Sequence, residues 1–386
     1  RPCLRCRPES APHSWAWKGA ETTFLRALTL IEQGELDGSL ETLASRLGIS
    51  DRYLRQLFQR HLGMPPKQYA QIQQLMFAKQ LLHTSQISIT EVAYASGFQS
   101  TRRFNDAFQK LFRLTPTQVR RERAALPSRN HLSLAFRGPF DWAHMLDFYR
   151  LRAIEGMELI DEQSYQRHFV LGEGTGWFKA SMAQSHLDIE FEMERLSDLR
   201  HLVARLRRMF DLDADLISIE AHLEQLAPGL VRRTGIRIPG VWNAWEAGVR
   251  AVLGQQVSVK AAIGQLNLLV STLAASEGST RYFPTPEQVQ MSDLSFLRMP
   301  ERRKETLKRL ADYVRLHPMD SPMAWLSLSG IGPWTVDYAQ LRGESRSHCF
   351  LTGDLIVKKA LAKFPQLTAE SVAPWGSYAT FHCWSH

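Results

Sequence analysis

From Glu21 to Arg123 the apolar residues recur every three or four positions, the spacing of helices that bury one face. The segment also repeats itself. Ala44 and Gly48 return 49 residues later as Ala93 and Gly97, and after a one-residue slip Phe58, Leu62 and Pro66 return 50 residues later as Phe108, Phe112 and Pro116. Two copies of one helical unit are expected. Before them, residues 1–18 (RPCLRCRPESAPHSWAWK) are rich in Pro and Arg and lack a period, so they read as a tail. After them, residues 124–131 (AALPSRNH) read as a linker. Alternation then replaces the helical period. Leu132, Leu134 and Phe136 alternate with polar residues, as do Leu187, Ile189, Phe191 and Met193, while RHFVLGEGTGWFKASM is two strands around a Gly-rich turn. Helical spacing returns over Leu199–Phe210, and from Trp242 to the end almost everything is helix broken by Gly/Pro turns. The pattern therefore predicts a mostly α protein with a small α+β domain: helical repeats over 19–123, an antiparallel sheet domain over 132–210 and a helical core over 211–386.

Each copy of the repeat has the grammar of a helix-turn-helix. In the first, Ser39 and Ser50 stand as N-caps, Gly48 allows a left-handed corner, and Leu43, Leu47, Leu54 and Leu57 can face inward. Arg52, Arg55 and Gln56 are left on the outer face of the second helix. The second copy has Gly97, Ser100 and an outer face of Arg102, Arg103 and Asn105. Arg pairs bidentately with guanine and Asn with adenine when a helix lies in the major groove. An ordinary bundle with a basic surface has the same apolar pattern, but two copies with the same outer face favour DNA. Charge agrees. The net charge is +8, and residues 1–130 hold 19 Lys/Arg against 10 Asp/Glu, leaving 28 against 29 beyond. The SGFQSTRRFNDAFQKLFRLTPTQVRR segment, with the unit upstream, resembles the paired helix-turn-helix domain of AraC-type transcription regulators.

Composition narrows the classes. Hydrophobic residues make up 44% of the chain and charged residues 22%, which suits a folded protein rather than a disordered one. Apolar runs such as Ile263–Ala274 are interrupted well short of a bilayer span, and no signal sequence opens the chain. Starting at Arg1 rather than Met, it reads as a fragment. Four cysteines, Cys3, Cys6, Cys349 and Cys383, are too few and scattered for a disulfide framework or an iron-sulfur run and fit a reducing compartment. Cys3-x-x-Cys6 is half of a zinc site, since zinc needs four ligands. The RPCLRCRPE wording ahead of an AraC-type domain resembles the end of the zinc-binding methyl-acceptor domain of Ada-type alkylation-response proteins. That resemblance places the nucleophile-bearing cysteine pair upstream of Arg1, so no methyl transfer and no bound zinc are expected here.

The candidate chemistry lies near the C-terminus. LSLSGIGPWTVDYAQLRG reads as a helix ending near Leu328, a Gly-Ile-Gly turn and a second helix entered at Pro333 or Trp334. Such a helix-hairpin-helix lets backbone approach a phosphate, although many αα-hairpins bind nothing. About 20 residues on, CFLTGDLIVKK sets Asp354 after a glycine at the head of an apolar helix, where a surface N-cap is the plain structural role. Hairpin and aspartate at this spacing resemble the helix-hairpin-helix, Gly/Pro-rich loop, Asp superfamily of DNA base-excision glycosylases. The match reaches the 3-methyladenine glycosylase II type and extends over residues 132–386, through FDWAHMLDF, RMFDL, IRIPGVWNAWEAGVRAVLGQQVSVKAA, YFPTPEQV and WGSYATFHCW.

The resemblance implies roles. Asp354 is the catalytic carboxylate, and Trp334, Tyr338 and Trp384 form the pocket for the flipped base, with core packing an equal reading for the latter two. Trp334 stands where strand-cutting members carry a Lys, which implies a monofunctional enzyme. Gln256, with Gln255 beside it, occupies the place of the side chain that fills the gap left by the base, and both are polar where the family often has an apolar wedge. Leu355 stands where a pocket aromatic often appears. Pro333 has no N–H, so phosphate capture falls to Gly330, Gly332 and Thr335. No cofactor is required; hairpin carbonyls near Leu326, Leu328 and Ile331 are expected to hold a monovalent cation. The implied partners are double-stranded DNA with alkylated bases, promoter DNA and RNA polymerase, in a bacterial cytoplasm at the nucleoid. Two alternatives stay open: a regulator of the alkylation response whose glycosylase-like half only binds DNA, and a glycosylase whose N-terminal domain adds nonspecific affinity.

Overall fold

The computed structural model describes residues 15–32, 36, 39–121, 130–273, 276–278 and 280–385. Cys3 and Cys6 lie outside the described residues, as does most of the linker 124–131. Two compact units are formed, residues 1–131 with 195–204, and residues 132–194 with 205–386.

The first unit holds α1 (Trp15–Glu32), α2 (Leu40–Arg46), α3 (Asp51–Leu62), α4 (Pro66–Thr84), α5 (Ile89–Ala95), α6 (Thr101–Phe112) and α7 (Pro116–Arg121). Its repeat is built from matched caps. Ser39 and Ser88 accept the N3 amides of α2 and α5, and Ser50 and Ser100 do so for α3 and α6. Gly48 and Gly97 take φ of +68° and +86° at the corners. The one-residue slip lies in the turn, because residues 47–50 separate α2 from α3 and residues 96–100 separate α5 from α6. Leu54, Leu57 and Phe58 of α3, and Phe104 and Phe108 of α6, are buried. One boundary differs from expectation: α1 starts at Trp15, so the last four residues of the expected tail are helical. No proline separates Ser14 from Glu21, and the one glycine, Gly19, costs a helix interior only about 1 kcal/mol.

The second unit opens with β1 (His131–Ala135), α8 (Trp142–Arg150), β2 (Glu158–Ile160), β3 (Ser164–Leu171), β4 (Gly174–Met182) and β5 (His186–Met193). The five strands form one sheet in the order β1-β5-β4-β3-β2, with β3 and β4 paired antiparallel from Ser164↔Ser181 to Leu171↔Gly174. The short edge strand β2 has no alternation to announce it. Then follow α9 (Leu199–Met209), whose residues 199–204 count with the first unit, α10 (Leu216–Leu226), α11 (Ala244–Gly254), α12 (Val259–Leu273), the two-residue strands β6 (Ser276–Glu277) and β7 (Thr280–Arg281), α13 (Pro286–Met291), α14 (Glu301–Leu316), α15 (Pro333–Glu344), α16 (Leu355–Leu361) and α17 (Gly376–Trp384).

Two hydrophobic cores organise these helices. Val249, Val252, Leu266, Leu307, Leu310 and Val336 belong to one. The other joins Leu216, Ile219 and Leu223 of α10 to Val357, Ala360, Ala379 and Phe381, so a segment from before α11 packs with the C-terminus. Phe148 of α8 belongs to this second core, while Ile154 and Met157 belong to the first. A buried charge cluster also ties sheet to helices. Arg167 of β3 pairs with Glu158 of β2 and Glu246 of α11, and Arg250 pairs with both carboxylates at 3.3 and 2.8 Å. Burial alone would raise the Glu246 carboxyl, but Arg167 and Arg250 outweigh it and hold it below the usual carboxylate range.

Candidate active site and DNA-binding faces

Asp354 is the N-cap of α16. Its Oδ1 accepts the amides of Ile356 and Val357 at 2.9 and 3.2 Å, and the indole Nε1 of Trp384 at 3.1 Å. All three bonds fall on one oxygen. Oδ2 is left without a hydrogen bond among the described residues, and the residue borders a cavity of about 390 Å³. The surface cap and a carboxylate on a cavity wall are thus one arrangement: the cap bonds fix the side chain while the second oxygen stays available.

Trp334, Tyr338 and Trp384 line the same cavity. Trp334 and Tyr338, one turn apart on α15, stack with ring centroids 5.3 Å apart. Trp384 lies nearly parallel to Phe148, centroids 6.3 Å apart, and meets Phe381 edge-on. Each aromatic also packs against the second core, so for Tyr338 and Trp384 core packing and a place on the cavity wall do not exclude one another. Leu355 is exposed beside Asp354, and Ile356 lines the cavity in its stead.

The cavity also holds residues that sequence reasoning did not single out: Phe148, Arg152 and Arg250. The Arg152 guanidinium lies 3.7 Å from the Phe148 ring centroid and donates to the Phe148 carbonyl at 3.2 Å. Arg250 donates to the Arg152 carbonyl at 2.9 Å, which links the buried charge cluster to the cavity wall. Burial lowers the Arg152 guanidinium to about 10, so it stays charged at neutral pH. For Tyr338 burial acts to raise the hydroxyl, but Arg342, Arg152 and Arg250 outweigh it and the net direction is down; Arg342 donates to the hydroxyl at 2.9 Å. Phe148 was visible as part of FDWAHMLDF, but nothing distinguishes Arg152 from the solvated Arg150 two residues before it.

The hairpin departs from expectation in its first arm, which is a 3-10 helix over Pro322–Ser327 rather than an α-helix. Pro322 at its first position and the Gly330 turn leave too little chain for a full α-helical arm. Gly330 has φ +92°, and a Cβ there would lie 2.1 Å from Thr306 Oγ1. Gly332 differs: its backbone is extended at φ −108° and a Cβ would meet nothing within 4 Å. Neither strain nor packing requires glycine there. Thr335 does not face a phosphate. It is buried, its amide donates to Gly332 O at 3.1 Å, and its hydroxyl accepts from Gln255. The two glutamines divide as well. Gln255 is turned back onto the hairpin by its carboxamide and is half-buried, whereas Gln256 is exposed, at φ +57°.

In the first unit Arg52, Arg55, Gln56, Arg102, Arg103 and Asn105 are all exposed, on the faces of α3 and α6 opposite their buried residues. Arg55 forms an i,i+4 pair with Asp51 at 3.1 Å. Among the described residues no helix is long and apolar enough to cross a membrane, and no group of His, Cys, Asp or Glu is arranged to hold a metal ion.

Two capped recognition helices in one unit, and in the other a hairpin followed by a fixed aspartate on an aromatic cavity, define a DNA glycosylase joined to an AraC-type DNA-binding module. Residues 43–122 match a helix-turn-helix domain family, and residues 131–243 match the AlkA N-terminal domain. The chain is 32% identical, along its whole length and 84% of the relative's, to the probable bifunctional transcriptional activator/DNA repair enzyme AlkA of Mycobacterium tuberculosis. It is 33% identical to DNA-3-methyladenine glycosylase 2 of Escherichia coli, over 65% of this chain and 96% of that one. The 3-methyladenine DNA-glycosylase of Archaeoglobus fulgidus shares the fold, with a TM-score of 0.55 at 16% identity over 65% of this chain and 96% of its own. The chain belongs to the AlkA family of bifunctional transcriptional activators and DNA repair enzymes.

Proposed function

We propose that the chain excises alkylated bases of the 3-methyladenine type from double-stranded DNA by hydrolysing the N-glycosidic bond without cutting the strand, with Asp354 as the catalytic carboxylate. One observation carries this reading: Asp354 borders the aromatic cavity with its Oδ1 taken up by two amides and an indole, and its Oδ2 has no hydrogen bond among the described residues. As the bond from C1′ to the base breaks, positive charge builds on the sugar, and a carboxylate held beforehand stabilises it without reorganising. An N-alkylated purine already carries a positive charge, so it takes the bonding electron pair and leaves neutral. Water then adds to C1′ and gives its proton to the carboxylate or to solvent. The stacked Trp334 and Tyr338 and the Trp384–Phe148 pair supply faces for an electron-poor base. Without a lysine at position 334 no Schiff base forms there.

Gly332 and the hairpin turn take a DNA phosphate. A monovalent cation beside that phosphate would be held by the carbonyls of Leu326, Leu328 and Ile331; Leu328 O accepts the Ile331 amide at 3.1 Å and keeps a second lone pair for it. The exposed faces of α3 and α6 read promoter DNA in successive grooves, with RNA polymerase as the partner of the activator half, in a bacterial cytoplasm at the nucleoid.

The decisive experiment is release of 3-methyladenine from methylated duplex DNA. Asp354→Asn retains an oxygen for the cap but loses the charge, so release is expected to fall by roughly 100-fold or more while DNA binding persists. Full activity in that variant would refute Asp354 as the carboxylate, and absence of release by the unaltered chain would favour a half that only binds DNA.

A further inference from the structure

The turn between α11 and α12 carries Gln256 and is tied to the hairpin by a neighbouring side chain. Gln255 closes α11, and its Nε2 donates to the Gly330 carbonyl at 3.1 Å and to Thr335 Oγ1 at 3.2 Å. Both acceptors belong to the hairpin, one in its turn and one in the first turn of α15. Thr306 of α14 fills the space a Cβ at Gly330 would need, so the hairpin is packed firmly on that side. Gln256 has φ +57°, a conformation that non-glycine residues keep only where their surroundings impose it. Val257 and Val259, just beyond, line the cavity while remaining exposed. The placement of this turn therefore sets both where Gln256 points and how the cavity mouth is shaped.

We propose that Gln255 is a positioning residue: its carboxamide holds the α11–α12 turn in register with the hairpin, so that a DNA phosphate captured by the hairpin and the gap filled by Gln256 are presented as one rigid unit. The inference rests on the reading of Gln256 as the side chain that replaces the flipped base. Its physical basis is that a side-chain bond between two separate surface segments costs side-chain entropy and in return fixes their relative placement. Gln255 touches neither sugar nor base in this role. It acts through Gln256.

A double-mutant cycle in the full chain tests it, using Gln255→Met, which keeps the side-chain length and removes both donors, Gln256→Ala, and the two together. Two quantities are followed: single-turnover release of 3-methyladenine, and flipping reported by 2-aminopurine fluorescence beside the lesion. Each single change is expected to slow release by roughly 10- to 100-fold, with the double variant no slower than the slower single one. Binding to undamaged duplex is expected to stay within about twofold, because backbone contacts at the hairpin remain. Losses that multiply in the double variant, or unchanged release in Gln255→Met, would overturn the inference while leaving the wedge reading intact. A neutral Gln256→Ala would remove the wedge reading and this inference together, and leave Asp354 untouched. Gln255→Glu provides the second arm should the Met variant fold poorly. Its carboxylate cannot donate, but its protonated form can, so its rate relative to the unaltered chain should recover as pH falls through the carboxyl range. A flat ratio across that range would also count against the bond.

Discussion

Arg152 places a positive charge on the wall of a cavity whose proposed occupant is itself positive. The guanidinium rests on the Phe148 ring and remains charged at neutral pH, with burial lowering it only to about 10. Two unit charges about 6 Å apart at an effective dielectric of about 20 repel by about 3 kcal/mol, an effect that water in an open cavity reduces. Arg152 should therefore trim the advantage of cationic bases and favour neutral purines that present acceptors. In Arg152→Met the ratio of 3-methyladenine to hypoxanthine release is expected to rise by roughly tenfold, measured by competition on mixed substrates. Equal changes on both bases would show that Arg152 acts by packing rather than by charge. Asp354 was legible in the sequence because a glycine before it and an apolar helix after it dictate a cap, and that cap is the device that immobilises the carboxylate. Arg152 was not legible: its position depends on α8 packing beside α17, which local spacing does not encode.

The two hairpin glycines, alike in sequence, have opposite physical causes at the scale of the element. Gly330 is demanded by its own fold, through φ +92° and a Thr306 oxygen 2.1 Å from the position of a Cβ, whereas Gly332 is extended with open space around it. Gly330→Ala is accordingly expected to lower the melting temperature by several degrees, as left-handed strain and a steric clash together cost more than about 2 kcal/mol. Gly332→Ala should leave stability within about 0.5 kcal/mol and weaken binding to duplex DNA. A Gly332→Ala variant with lowered melting temperature and normal binding would reverse the assignment. The Gly-x-Gly pattern alone points to a hairpin but cannot tell which glycine serves folding. Likewise the helical period of the repeat was legible down to its caps, because Ser39, Ser50 and Ser100 act within three residues of themselves. The 3-10 arm, the edge strand β2 and the inward turn of Gln255 depend on partners far along the chain.

Across the whole molecule charge and chemistry are divided. Residues 1–130 carry a surplus of nine basic residues, and the remainder, which contains the cavity, has 28 Lys/Arg against 29 Asp/Glu. A polyanion is therefore attracted mainly through the part that lacks Asp354, while the groups proposed for the chemical step are fixed inside the second unit by its own cores and charge cluster. The Escherichia coli relative aligns over 96% of its own length with 65% of this chain. Removing residues 1–130 is thus expected to leave single-turnover release within about threefold at saturating enzyme, since none of the cavity residues is lost. Affinity for undamaged duplex should fall, and the slope of log Kd against log salt should shrink by roughly 3 to 6, one unit for each phosphate contact given up. If the truncated chain kept the salt slope of the full one, the basic faces of α3 and α6 would not be the electrostatic anchor. If it lost release at saturation while still folded, the first unit would have a part in the chemistry that the division of residues does not provide.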